Sequence, residues 1–277
     1  MSANASSSPF DASAWVGRWP FGGDDDTPLD QLIAGLVDAG IGGALVSPLN
    51  AVLAAEPSRA NAELIAAAAR RDDPAFDLRL APIIDQTQAD WRHELATVAA
   101  GAGERLGAIR IVPNYHAYSL SDSLGDALDA PSVDALAETL VGQGLPLIVQ
   151  VRILDERAQH PRMVVPAVPM AALAALGGRH PELAIIAAGV FFSDLPPIRE
   201  VANIAVELSS LESADTLPDI LTLIPAARVV LGTHAPLYVP AASLAKLGGD
   251  GIDATTLAAI GGGTARALFR ERLPASP

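Results

Sequence analysis

The segment from Leu183 to Ser209 reads LAIIAAGVFFSDLPPIREVANIAVELS, and its pattern predicts the fold. It begins and ends with short apolar runs, Leu183–Ala188 and Ile204–Ser209, that lack the polar alternation of a half-exposed strand. Such runs are typical of parallel strands buried on both faces of a sheet. The stretch between them, Leu195–Val201, is interpreted as a connecting helix. The segment therefore predicts one strand–helix–strand unit.

The same alternation extends over the chain of 277 residues, a usual length for one α/β barrel. Eight units of about 35 residues predict a single (β/α)8 TIM barrel over residues 10–277, preceded by a disordered tail over residues 1–9. An open, doubly wound sheet is the alternative, because periodicity does not reveal closure. The eight candidate strands are Phe10–Val16, Gly43–Ser47, Leu78–Ile84, Ala108–Pro113, Pro146–Arg152, Leu183–Ala188, Ile204–Ser209 and Arg228–Gly232.

Alanine-rich stretches of helical period separate these strands. Proline and glycine mark several of their ends, as with Pro28 before the first helix and Gly40 after it. The candidate helices are Leu29–Ala39, Arg59–Arg71, Ala89–Gly101, Ser132–Gly142, Met170–Gly178, Leu195–Val201, Leu217–Ile224 and Leu257–Phe269.

Composition excludes several classes of function. The net charge of −14 leaves no basic stripe for nucleic acid. The longest apolar run, Leu183–Phe192, is far shorter than the roughly 20 residues of a membrane span. Because cysteine is absent, there is no thiolate nucleophile and no Cys-based zinc site. We expect a cytoplasmic protein that acts on a small molecule, and a homo-oligomer is left open.

Polar and aromatic residues cluster directly after the candidate strands. In barrels of this kind, chemistry lies at the carboxyl ends of the strands and in the loops that follow them. We therefore expect one pocket at that end, without a cofactor. Its candidate catalytic residues are His116, Asp155, Glu156, His160 and His234, and its candidate substrate-binding residues are Trp19, Asn114, Tyr118, Arg152, Arg157 and Glu207.

The order of several motifs resembles the second amidohydrolase family, the TIM-barrel metal-dependent hydrolases and decarboxylases. The resemblance spans nearly the whole chain and implies the same barrel. It is clearest in Phe10-Asp11 with Gly17, in Gly107-Ala-Ile-Arg-Ile111, in Pro181-Glu-Leu-Ala-Ile-Ile186, and in Val230-Leu-Gly232-Thr-His-Ala-Pro236 with Thr264-Ala-Arg-Ala-Leu268.

The metal-binding signature of that family does not carry over. Ser13 and Trp15 stand where the family places a His-x-His pair, and Val149-Gln-Val-Arg152 replaces the strand-five histidine. Gly189 stands at the strand-six histidine, and His234 replaces the strand-eight aspartate. Zinc needs three or four converging N, S or O ligands, so we expect no metal at that position. A relocated site formed by His116, His160, His234 and a carboxylate is the exception left open.

Two hypotheses follow from the sequence. The first is a metal-independent hydrolase or isomerase of a small anionic or lactone-type substrate; certain related sugar-lactone isomerases and dicarboxylate lactonases are thought to work without a metal. His234 is then the predicted general base, and His160 or His116 the acid or oxyanion donor. Arg152 and Arg157 would bind a carboxylate, while Asp155, Glu156 or Glu207 would orient a histidine. The second hypothesis is a non-catalytic ligand-binding or scaffold barrel.

Overall fold

The computed structural model describes residues 8–21, 26–71, 73–120, 130–248 and 251–270. Of the predicted tail, Ser8 and Pro9 lie in this part of the chain and contact the barrel: Arg266 Nη1 donates to Ser8 O, and Gly42 N donates to Pro9 O. Residues 1–7 lie outside the described residues. None of the described helices is long and apolar enough to cross a membrane.

All eight candidate strands are found, together with one short antiparallel strand. Within the described residues the strands are β1 (Phe10–Arg18), β2 (Asp26–Thr27), β3 (Gly43–Pro48), β4 (Asp77–Leu80), β5 (Ile109–Ile111), β6 (Leu147–Gln150), β7 (Ile185–Ala188), β8 (Ile204–Glu207) and β9 (Val229–Val230).

The eight parallel strands form a ring. Ladders join β1–β3–β4 and β5–β6–β7–β8–β9, and β2 pairs antiparallel with the end of β1. Hydrogen bonds connect the two groups at both seams: Ala12 N donates to Leu231 O at 2.8 Å, and Ile84 N donates to Arg110 O at 3.1 Å. The predicted (β/α)8 fold is confirmed.

Helices surround the ring, and their apolar faces pack on the outer sides of the strands through residues such as Leu36, Leu95, Leu136 and Leu173. Within the described residues the helices are α1 (Leu29–Asp38), α2 (Ser58–Ala69), α3 (Trp91–Ala102), α4 (Ala130–Gln143), α5 (Met170–Arg179), α6 (Thr216–Leu221), α7 (Pro240–Ala245), α8 (Ala254–Ala258) and α9 (Thr264–Arg270).

Two predicted helices were wrong in form. Leu195–Val201 is not an α-helix, because Pro196 and Pro197 cannot donate helical hydrogen bonds; the segment makes a 3-10 turn over Pro196–Ile198. Leu257–Phe269 is divided into α8 and α9 by a π-type turn at Ala259–Gly263. A Cβ atom at Gly262 would lie 2.9 Å from Phe10 N, so glycine permits this close approach to the barrel.

The interior of the barrel changes character along its axis. Its amino-terminal end is apolar, with Phe10, Leu45, Ile148, Ile186 and Val230 packed together. Phe269 of α9 covers this end, with its ring 5.6 Å from that of Phe10. Above this layer, toward the carboxyl ends of the strands, the interior becomes polar.

Candidate functional site

The middle of the barrel holds buried polar side chains, which we call the polar belt. Arg110, Gln150 and Glu207 point inward because each lies two positions after an interior apolar residue of its strand. Asp11 and Ser13 lie at an irregularity in the pairing of β1 with β3. Such groups are costly to bury unless they are paired with one another. The polar belt consists of Asp11, Ser13, Arg110, Gln150 and Glu207, each at most 1% exposed.

Arg110 is the centre of the polar belt. Its Nη1 donates to Gln150 Oε1, and its Nη2 lies 3.3 Å from Ser13 Oγ. The guanidinium carbon lies 4.0 Å from the centre of the Trp15 ring, an attractive cation–π geometry. Burial lowers the pKa of Arg110 to about 9, whereas the charges of Glu207 and Asp11 raise it. The side chain is therefore a buried cation at neutral pH.

Two buried carboxyl groups accompany this cation. Glu207 accepts hydrogen bonds from Gly189 N, Ser209 N and Ser209 Oγ, each at 2.7 Å. Asp11 accepts from Ser13 N and Thr233 N at 2.9 Å and from Thr233 Oγ. Burial raises the pKa of Asp11 to about 6, although the bonds from Thr233 and Ser13 lower it.

An apolar cluster, which we call the plug, fills one half of the mouth above the polar belt. Its residues follow β1, β3, β4 and β5, with one contribution from the loop after β6. Tyr115 packs against it, with its ring 6.0 Å from that of Trp19. The plug consists of Trp15, Trp19, Leu49, Ala51, Val52, Ala60, Ile83, Val112 and Ile153.

His234 is part of the packing beneath this surface. It is fully buried, Trp15 Nε1 donates to its Nδ1 at 3.3 Å, and its Nε2 lies 2.9 Å from Ile153 O, where it donates. Burial and the charge of Arg110 lower the pKa of His234 to about 3. Because both ring nitrogens are engaged and the ring is neutral, this geometry does not support the predicted role of general base.

The three predicted histidines do not share a pocket. The His116 side chain is 3% exposed, its Nε2 donates to Ala51 O at 3.2 Å, and its Nδ1 lies 3.9 Å from Asp85 Oδ2. Burial lowers the pKa of His116. His160 is exposed, and its Nδ1 accepts from Arg162 N at 3.2 Å. The expectation of one three-histidine pocket was therefore wrong, because each ring is held by its own local partners.

A cavity of about 490 Å³ opens in the other half of the mouth. The loops after β6, β7, β8 and β9 build it, so it lies beside the barrel axis, away from the plug. Its wall combines two phenylalanine rings, five hydroxyl groups and three charged side chains. The lining residues are Asp155, Arg157, Phe191, Phe192, Ser193, Ser209, Ser210, Glu212, Tyr238, Ala242 and Ser243.

Hydrogen bonds connect the floor of this cavity to the polar belt. Ser209 Oγ donates to Glu207 Oε1 at 2.7 Å, and the Tyr238 side chain hydrogen-bonds that of Ser210. Burial raises the pKa of Tyr238, so the phenol keeps its proton at neutral pH. Lys246 Nζ donates to the carbonyls of Leu208 and Ser209 at 3.0 and 2.8 Å, which fixes the loop after β8.

The two arginines predicted to bind a carboxylate are already paired. Arg152 is 6% exposed, its Nη1 donates to Gly189 O at 2.8 Å and to Asp194 Oδ2 at 2.5 Å, and its guanidinium stacks on Phe191. Arg157 is exposed and donates hydrogen bonds to both carboxylate oxygens of Asp155. The hydrogen bonds from Arg157 lower the pKa of Asp155 to about 2.

The remaining predicted residues lie around the cavity or in the packing. Glu156 lies 3.5 Å from Arg152 Nε, and Asn114 Nδ2 donates to Pro166 O. Tyr118 is buried in the outer core, and Trp19 belongs to the plug. Of the eleven candidates, Asp155 and Arg157 line the cavity and Glu207 supports its floor.

Sequence reasoning missed the role of Arg110 and of the hydroxyl groups in the wall. An arginine between Ile109 and Ile111, in an otherwise apolar strand, was the available signal for a buried cation. The pair Ser209-Ser210, directly after β8, was a weaker one. Tyr238 follows the last strand at a distance that depends on loop geometry, so no pattern marked it.

Comparisons with known proteins support the fold. No family model matches the chain, and a search of the curated proteins found no relative. Structural similarity is extensive: 2,6-dihydroxybenzoate decarboxylase from Rhizobium superposes with a TM-score of 0.69 at 17% identity, covering 94% of this chain and 98% of the other. Dihydroxybenzoic acid decarboxylase from Polaromonas sp. JS666, solved with manganese and the inhibitor 2-nitroresorcinol, gives 0.69 at 16% identity, covering 94% and 96%.

An amidohydrolase from Mycobacterium avium subsp. paratuberculosis gives a TM-score of 0.55 at 18% identity, covering 87% of this chain and 74% of that one. The chain therefore has the TIM-barrel fold shared by these decarboxylases and amidohydrolases. This confirms the fold that the sequence resemblance implied. At such identities the likeness establishes architecture, and the chemistry has to come from the side chains.

The residues present do not fit the metal ion of that family. Ser13 and Trp15, which the sequence resemblance places at the positions of a histidine pair, both contact the Arg110 guanidinium. A Cβ atom at Gly189 would lie 2.2 Å from Arg152 O. In the part of the chain that the structure describes, no three His, Asp or Glu side chains converge as a metal site. This includes the relocated site of His116, His160 and His234.

Proposed function

We propose that the protein is a metal-independent enzyme that acts on a small, hydroxylated lactone or ester in the cavity beside the plug. The reaction is hydrolysis or isomerisation of that substrate. The observation that carries the proposal is the Ser209–Glu207 hydrogen bond at the floor, with the Tyr238 phenol in the same wall. The cavity of about 490 Å³ is thus bordered by a proton donor, Tyr238, and by a serine hydroxyl that is bonded to a buried proton acceptor, Glu207.

The wall favours a neutral substrate over the anionic one expected from the sequence. Arg157 is neutralised by Asp155, and Arg152 by Asp194 and Glu156. Glu212 adds a further negative charge to the lining. Hydroxyl groups can donate and accept, and the faces of Phe191 and Phe192 can pack on the apolar side of a ring.

The hydrolytic step would use the chain's own groups. Water attacks the carbonyl carbon of the substrate, and its proton passes through Ser209 Oγ to Glu207. The Tyr238 hydroxyl donates a hydrogen bond to the carbonyl oxygen as negative charge develops there. The C–O bond to the leaving oxygen then breaks, and that oxygen takes the proton back. Glu212 and Asp155, as acceptors, would orient hydroxyl groups of the substrate.

A panel of neutral lactones, dicarboxylate lactones and aryl esters, assayed with chelator-treated protein, tests this proposal. We expect turnover of a neutral lactone or ester, and Tyr238→Phe should lower kcat about 100-fold because it removes one oxyanion donor. Tyr118→Phe is the matched control, since Tyr118 lies in the outer core. Turnover that needs added metal, or that survives Tyr238→Phe unchanged, would contradict the mechanism.

The second candidate is a non-catalytic binding barrel. The burial of His234, with both nitrogens engaged, favours it, because the cavity lining then contains no imidazole. Calorimetric titration of the same panel separates the two candidates. Binding that is weakened by Tyr238→Phe, without turnover of any compound, would support the binding role.

A further inference from the structure

Arg110 is unusual because it is a fully buried arginine at the axis of the barrel. Its guanidinium reaches across the interior: from β5 it contacts Ser13 and Trp15 of β1 and Gln150 of β6. A planar group with donors pointing in several directions can join strands that are not neighbours. The cation therefore connects opposite sides of the ring.

The contacted positions carry the inference. Ser13 and Trp15 stand where the metal-dependent family has its first two ligands, and both contact the guanidinium. We propose that the guanidinium of Arg110 is a permanent internal cation that replaces a metal ion at the centre of this barrel. The negative charges of Asp11 and Glu207 favour the charged form of this guanidinium, and Glu207 accepts a hydrogen bond from the Ser209 hydroxyl at the cavity floor. The inference does not depend on which reaction the cavity supports.

Charge compensation and simple space filling make different predictions. If Arg110 only fills space, a neutral side chain of similar length should cost the same stability at every pH. If its charge matters, its removal leaves the negative charges of Asp11 and Glu207 without this cation, and the cost falls as Asp11, whose pKa is raised to about 6 by burial, takes up its proton. His234 is the third titratable group that faces Arg110, and it stays neutral above its low pKa of about 3.

The experiment compares Arg110→Met and Arg110→Lys in urea unfolding at pH 7 and pH 5. Arg266→Met is the comparison variant: Arg266 is another buried arginine stacked on an aromatic ring, Phe10, at the opposite end of the barrel, but its carboxylate partner Asp77 is 23% exposed instead of fully buried. We expect Arg110→Met to shift the unfolding equilibrium at least about 100-fold at pH 7. The shift should be several-fold smaller at pH 5, and Arg110→Lys should lose much less than Arg110→Met at pH 7.

Several outcomes would overturn the inference. These are an equal effect of Arg110→Met at both pH values, a loss in Arg110→Lys as large as in Arg110→Met, or the same pH response in Arg266→Met. If Arg110→Met is unfolded at both pH values, Arg110→Lys, which has a side chain of similar size, decides. A folded Arg110→Lys supports the role of the positive charge, and an unfolded Arg110→Lys rejects that role. One equivalent of Mn²⁺ or Zn²⁺ bound by the wild type and lost in Ser13→Ala or Gln150→Ala would also reject it.

Discussion

The two halves of the barrel mouth follow similar strands but differ in how they are filled. At the end of β1 and after β3, β4 and β5, the chain packs Trp15, Leu49, Ile83 and Val112 into the plug. After β6 to β9 it leaves a cavity lined by hydroxyl, carboxyl and phenyl groups. Buried apolar packing is therefore concentrated in one half of the mouth, and the solvent-accessible cavity lies in the other. The comparison teaches that a barrel can keep its architecture while its pocket lies off the axis.

The largest expected effect tests the plug. Trp15→Ala removes a fully buried indole, the cation–π contact of Arg110 and the donor to His234 Nδ1. We expect the free energy of unfolding to fall by at least about 3–5 kcal/mol. Phe192→Ala in the partly exposed cavity wall is the comparison and should cost much less. Equal losses in urea unfolding would show that the two halves do not differ.

The next expected effect is the pH dependence of stability that His234 and Asp11, beneath the plug, produce. The low folded-state pKa of His234, about 3 against 6.5, means that its contribution to stability is lost as pH falls from 6.5 toward 3. The raised pKa of Asp11, about 6 against 3.8, acts in the opposite direction, since stability is lost as pH rises from 3.8 to 6. The two slopes therefore oppose each other between pH 4 and 6.

Replacing either residue should reveal the pH dependence of stability that the other residue causes. In His234→Asn, stability relative to wild type should fall as pH rises from 4 to 6, by about 1.4 kcal/mol per pH unit. Asp11→Asn should show the reverse sign. His93→Asn, at an exposed position of α3, is the control. If plots of unfolding free energy against pH run parallel to that of the wild type for both variants, the pKa shifts given for His234 and Asp11 are contradicted.

A smaller effect is expected from Lys246, which stabilises the wall of the cavity. Its ammonium donates to the carbonyls of Leu208 and Ser209, and the side chain is 10% exposed. Lys246→Met should cost about 1.5–3 kcal/mol, since hydrogen bonds from a charged group are lost. It should also weaken ligand binding, because the loop that carries Ser209 and Ser210 is released. Unchanged affinity with reduced stability would assign Lys246 to packing alone.

The smallest effect is expected at the exposed rim. Arg157→Ala should leave the urea midpoint unchanged, because solvent screens an exposed ion pair. The pKa of Asp155 should rise from about 2 toward its ordinary value when the hydrogen bonds from Arg157 are lost. Carboxyl chemical shifts during an NMR titration measure this. A marked fall in the urea midpoint would show that this ion pair at the rim contributes to stability.

The fold was predictable because buried parallel strands leave a strong local signal. All eight strands, and most helices, follow from apolar runs and from glycine and proline at their ends. Leu195–Val201 was wrong because the two prolines outweigh its helical composition. Closure of the ring depends on hydrogen bonds such as that between Ala12 and Leu231, which join residues distant in sequence.

The site was less predictable, because position after a strand does not determine the direction of a side chain. His234 follows β9 as expected, yet its ring turns into the core between Trp15 and Tyr238. His160 turns to solvent in a long loop. Asp155 and Arg157 were found because they lie directly on the loop that forms the cavity wall. Tyr238 was missed because its orientation depends on contacts with Ser210, which no local pattern encodes.

Gly189, directly after β7, is a position at which this barrel accepts no side chain without strain. Its φ of 72° disfavours any side chain, its N–H donates to Glu207, and its carbonyl accepts from Arg152. A histidine placed there alone would collide with the backbone at Arg152 and disturb both bonds. Any side chain at this position would therefore need the backbone of the loop after β6 to shift. A single substitution at Gly189 is therefore expected to be strained whichever residue is introduced, so the loops after β6 and β7 keep this close approach only while residue 189 has no side chain.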